Sequence, residues 1–98
     1  SAAALFHPLF DADIELAKAG YAAIASNLAE RFDAEVRRAV LLILDFPDAF
    51  PRTPEGPRHT NLRSFPFTVL YETDGNSVLF GGLFHLHSDR SGWAQRLP

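Results

Sequence analysis

Between residues 14 and 28, apolar side chains recur at spacings of three and four. Ile14, Ala17, Tyr21, Ile24 and Leu28 therefore stack on one face of a helix. Asp11 precedes this stripe as a candidate N-cap, and Asp13 and Glu15 fall in the first turn, where the helix dipole favours carboxylates. Gly20 weakens the helix without ending it. Ser26-Asn27 reads as a break, and Asn27 with Glu30 three residues on resembles a capping box that opens a second helix. There Phe32, Val36, Ala39 and Ile43 form the apolar stripe, widened by Val40 and Leu44. So short a connection folds two helices back on each other. A single helix from Asp11 to Phe46 is rejected, because nothing else in so small a chain would cover a stripe of that length.

Elsewhere the pattern is that of strands. Ala3 to Pro8 is short and apolar, with a proline suited to a strand end. Asp45 to Pro57 holds four prolines and Gly56, which excludes helix and central strand and predicts a loop. Strands are then expected around His59–Ser64, over Phe67–Thr73 and over Ser77–His87, the last two joined at Asp74-Gly75-Asn76 with Gly75 at positive φ. Gly81-Gly82 points to a bulge or to the close approach of a helix. The expected fold class is α+β, in the order β-α-α-β-β-β: an N-terminal strand, then an antiparallel helical hairpin packed on a small antiparallel sheet. Phe32, Val36 and Ile43 are expected to face the sheet, and Phe67, Val69, Tyr71, Phe80 and Phe84 to share their core.

Composition narrows the function classes. At 98 residues, with 47% hydrophobic and 21% charged, residues 1–98 form one globular domain. The absence of cysteine excludes disulfides and thiolate metal sites. The longest aliphatic run, Ala39 to Leu44, falls far short of the about 20 residues a bilayer needs. Ser1 to Phe6 lacks the basic start and long apolar centre of a secretion signal, so a cytoplasmic protein is expected. Net charge is −3, against the basic patch that nucleic-acid binders present. Residues 1–49 hold four cations and eight carboxylates, residues 50–98 five and four, and three of the four histidines lie in the second half. An anion-binding face is therefore expected on the sheet half.

Several short motifs occur in a telling order: Leu28-Ala29-Glu30-Arg31-Phe32, Phe46-Pro47, Arg58, Phe65-Pro66-Phe67, Tyr71, His85, Trp93 and Arg96. From about Phe6 to Arg96 the chain resembles toxins of the RelE/ParE superfamily, the toxic halves of bacterial type II toxin–antitoxin pairs that stabilise plasmids. The Phe-Pro-Phe motif and the Trp93/Arg96 exit are similar to the ParE branch. That resemblance implies a protein without cofactor that acts by binding DNA gyrase and is neutralised by a cognate antitoxin, as a homodimer or a toxin–antitoxin hetero-oligomer. It also implies Arg58, Arg63, Arg90, Trp93 and Arg96 as the antitoxin- or target-binding residues.

The RelE branch instead cleaves messenger RNA on the ribosome, which requires a base, cations for the phosphate and an acid. On that alternative the catalytic residues would be Arg63, His85 and His87. This chain departs from the RelE pattern: Thr68 stands where a second arginine is usual, and no tyrosine follows Tyr71. A degenerate, non-toxic member is a third reading. Each candidate also has a plain structural reading. Trp93 can close the core as an apolar plug, and Arg58 and Arg63 can be solvated surface groups rather than clamps for an acidic antitoxin tail. His85 and His87, two apart on a strand with Asp89 beyond, could begin a metal site, but no third ligand is fixed; no metal is expected.

Overall fold

The computed structural model describes residues 2–98. Strand β1 (Ala3–Phe6) leads into helices α1 (Phe10–Ala22) and α2 (Ser26–Asp45), followed by strands β2 (Arg58–Asn61), β3 (Phe67–Asp74) and β4 (Ser77–His85). Two single-turn 3-10 segments, Arg90–Gly92 and Ala94–Arg96, end the chain. The four strands form one sheet in the order β1-β4-β3-β2. The expected α+β order is therefore present. The β2-β3-β4 meander is antiparallel, whereas β1 adds to β4 in parallel, so the sheet as a whole is mixed. The parallel pairing follows from connectivity: β1 reaches the sheet before the helical crossover and β4 after it.

Local signals were displaced by a few residues. Helix α1 begins at Phe10 with no side-chain cap, and Asp11 lies inside its first turn rather than capping it. The turn between helices is Ala23–Ala25; Ser26 and Asn27 already belong to α2, whose N-cap position, Ala25, receives no side-chain hydrogen bond. Ile24, placed on the stripe by spacing, falls in that turn and is 74% exposed. Strand β2 ends at Asn61, which leaves Arg63 and Ser64 in a bend, and β4 ends at His85, which leaves His87 in a turn. At the hairpin, Gly75 takes φ +59° while Asn76 keeps a negative φ, as a glycine at the first central position of a type II′ turn does.

The helices bury Phe32, Val36, Ala39 and Ile43 against Val69, Tyr71, Val78 and Phe80. Tyr21, Phe32, Phe65 and Phe67 meet edge to face at ring separations of 4.8 to 6.3 Å. Phe84, expected in this core, is not part of it. A register shift pairs Leu70 with Gly82 but Tyr71 with Phe80, so Gly81 is an extra residue. Past the bulge the alternation reverses, and Leu83 rather than Phe84 joins Phe80 in the helix-facing core. The two glycines do admit a close neighbour, but it is the C-terminal segment and not a helix. A Cβ at Gly81 would lie 2.8 Å from Leu97 Cγ, and one at Gly82 2.8 Å from Arg96 Nη1 and from the Phe84 ring.

Candidate interaction surface

The cations expected to receive a partner are largely engaged within the fold. Arg58, on β2, donates through Nη1 to the Phe50 carbonyl at 2.6 Å and more loosely to that of Asp48. It thereby staples the proline-rich loop to the sheet. Tyr71 does the same from β3, its hydroxyl donating to the Pro47 carbonyl at 2.6 Å. Arg90 pairs with Glu55 at 2.8 Å and lies 4.0 Å over the Trp93 ring. Trp93 is 1% exposed and stacks on Phe84, so its ring is a plug and is not offered to a partner. The plug seats in a packing unit with Phe84, apart from the helix-facing core.

Arg96 closes the C-terminal segment. Its guanidinium meets both oxygens of Asp13, at 2.8 and 3.1 Å, and donates to the Gly81 carbonyl at 3.0 Å. Asp13 Oδ2 also accepts from the Leu83 backbone N–H at 3.1 Å. Strand β1 pairs with β4 only as far as Phe80, so the edge of β4 beyond it lacks a strand neighbour. Asp13 and Arg96 supply the missing partners there. Of the predicted binding residues, only Arg63 extends an exposed side chain that no hydrogen bond or ion pair holds among the described residues.

Of the groups a ribonuclease would use, Arg63 and His87 are exposed, and the others are engaged within the fold. Thr68, at the second arginine position, is fully buried and donates to the Thr60 carbonyl, with His59 Nδ1 3.1 Å from its hydroxyl. The Tyr71 hydroxyl is pushed up to about 12 by burial, far from a working acid or base at neutral pH. His85 is half-buried with its ring edge-on to Phe67, and its Nδ1 accepts the His87 backbone N–H. The His85 and His87 rings stand 5.5 Å apart, and no third ligand group gathers with them among the described residues.

The accessible features lie elsewhere. Strand β1 is a sheet edge of the sequence Ala3-Ala4-Leu5-Phe6, with no charge along it. Ala3 and His7 direct their N–H groups at β4, so by strand alternation Ala4 and Phe6 turn their backbone groups outward. Natural edge strands are usually blunted by charge, proline or a bulge; here only Pro8 follows, beyond the strand. Leu5, Phe6, Leu9 and Leu41 remain between 49 and 55% exposed. Beside the edge, a groove of about 550 Å³ runs between the helices, lined by Phe6, Phe10, Ile14, Val40, Leu41 and Arg37 among others. Sequence reading passed over this region because Leu5-Phe6 and Leu41 looked like ordinary strand and helix positions. The available signal was an uncharged first strand together with Leu41 lying off the α2 stripe.

No protein-family model matches the chain, and no curated protein matches it. No helix among the described residues is long and apolar enough to cross a membrane.

Proposed function

We propose that the chain is the toxin component of a type II toxin–antitoxin pair, of the ParE-like kind. On this reading it acts by binding a target such as DNA gyrase and is neutralised by a cognate antitoxin. One contrast carries the reading. Thr68, at the second arginine position, and the Tyr71 hydroxyl are buried and bound internally, whereas an uncharged strand edge and an adjoining, largely apolar groove stand open. An antitoxin segment would add to the outer edge of β1, with main-chain hydrogen bonds supplying affinity and apolar side chains entering the groove. The C-terminal Trp93 and Arg96 then serve to hold the sheet in shape rather than to touch the partner.

The test joins a partner assay to two activity assays. Co-expression with the adjacent reading frame should give a stable complex, and Leu5→Lys, at an exposed edge position, should weaken it without changing the melting temperature. Purified protein should inhibit gyrase supercoiling and leave messenger intact on translating ribosomes. Codon-positioned cuts that vanish in Arg63→Ala, His85→Ala or His87→Ala would overturn the proposal in favour of a ribonuclease. Intact messenger with normal gyrase would leave a fold that binds its partner without toxicity.

A further inference from the structure

The sheet has two edges, and they are finished differently. Along β2 the proline-rich loop lies outside the strand: the His59 N–H donates to the Pro51 carbonyl at 3.0 Å, and Arg52 forms an antiparallel bridge with Arg58. That edge also carries the charge of Arg58. Strand β1 has neither cover nor charge. Its two faces are distinct. Ala4 packs against the helix-facing core and Phe6 stacks on Phe80 at 4.9 Å, so Leu5 turns to the opposite face. There, 54% exposed, Leu5 borders a depression of about 190 Å³ with Leu79, Leu97 and Pro98.

The open edge is complementary to itself. Ala4 and Phe6 are the residues whose N–H and C=O groups point outward. Antiparallel pairing about a twofold axis at Leu5 sets Ala4 of one copy opposite Phe6 of the other, on both sides of the axis. Each such pair exchanges both of its main-chain hydrogen bonds. The next pair outward would join Pro8 to Ala2, and there the ladder stops. Proline has no N–H, and the Ala2 N–H already reaches the Leu44 carbonyl at 3.3 Å. No donor is left stranded in either copy. Small Ala4 faces large Phe6, and the two Leu5 side chains meet on the axis. Charge is no obstacle: the strand has none, and the adjoining groove holds Asp11 and Arg37, one of each sign, neither in an ion pair among the described residues.

We infer that, without its partner, this protein pairs with a second copy of itself through β1, antiparallel about Leu5, and so masks the edge. A strand edge without charge or bulge is a template for strand-to-strand association. An isologous contact closes the pair and stops it there rather than building a filament. Two four-residue strands bury well under the roughly 1,200 Å² of a stable interface, so the pair is weak and yields to a longer strand. The self-pairing stands on the edge alone. Its regulatory consequence, a free toxin that covers its own antitoxin edge, rests on the function proposed above.

The chain contains no cysteine, so Leu5→Cys introduces a single thiol. Across a non-hydrogen-bonded antiparallel pair the Cα atoms stand about 4.5 Å apart, within reach of a disulfide. Under mild oxidation Leu5→Cys should form covalent dimers at least about tenfold faster than Leu16→Cys, whose 79% exposed site on α1 reports random collision. Sedimentation velocity on the parent should show reversible dimers between about 1 μM and about 1 mM. Ala4→Pro removes an outward N–H at an edge position and should leave monomer with an unchanged melting temperature. Equal cross-linking at the two cysteine sites, a dimer that Ala4→Pro leaves intact, or monomer throughout would each overturn the inference. Antitoxin added to the parent should dissolve the dimer. An antitoxin complex formed by a protein that shows no self-pairing would overturn this inference alone. A self-pairing protein that captures no antitoxin and spares gyrase would support it and overturn only the function proposed above.

Discussion

Glu35 shows how one side chain joins two elements. It sits on α2 and accepts two backbone N–H groups from the bend before β3. Burial alone would raise its pKa, but the Ser64 and Arg63 hydrogen bonds and the Arg31 charge outweigh that and hold the carboxyl below its ordinary value of 4.5. A depressed folded pKa means that the ionised group stabilises the fold at pH values above its unfolded pKa. That contribution is lost as pH falls through the lower, folded value. Acid unfolding should therefore be shallower in Glu35→Gln than in the parent below about pH 4.5, with the two differing most near neutrality. Urea midpoints measured from pH 7 to pH 3 check this; parallel profiles would remove Glu35 from the acid response. Asp13 is more heavily engaged, because it serves Leu83 N–H and Arg96 together. Asp13→Ala should cost about 1–3 kcal/mol, the usual penalty for leaving partly buried polar groups unpaired. It should also speed hydrogen exchange at the Leu83 amide. Chemical denaturation and exchange measured on the same variant separate the local effect from the global one.

At the scale of elements, the two long helices were legible because amphipathic periodicity is a property of the chain itself. Their ends were less so. Asn27 and Glu30 have capping-box spacing, yet no side chain caps α2. Helix ends are set by where the chain must turn to pack, and a turn at Ala23–Ala25 lets α2 fold back along α1. Gly20 is a weak point within α1 that packing does not require, since a Cβ there meets nothing within 4 Å. Gly20→Ala should raise stability by about 0.5–1 kcal/mol through helix propensity and a less flexible unfolded chain. A shift of the denaturation midpoint to higher urea is the expected reading, and a fall would show an unseen constraint on α1. Gly81 and Gly82 do not share this freedom, because Leu97, Arg96 and Phe84 occupy the space their side chains would need.

Across the whole molecule, the chain determined its class of fold, the helix-facing stripe, the proline loop and the Gly75 hairpin, because each depends on neighbours within a few residues. It also announced the Gly81-Gly82 irregularity. What the irregularity does was decided only in three dimensions, where one extra residue moves Phe84 out of the core and Leu83 into it. The same holds for the candidate surface. Counting charges by sequence placed the positive face on the sheet half, but Arg52, Arg58, Arg90 and Arg96 are each drawn to oxygens 8 to 83 residues away along the chain. Among the described residues, the arginines that no carboxylate or carbonyl holds are those of α2, with Arg31 over the Phe65 ring, and Arg63 in the adjoining bend. Periodicity is written locally and can be read from the sequence. Which charge is neutralised, and which strand edge is left open, depends on which distant segments the fold brings within hydrogen-bonding distance.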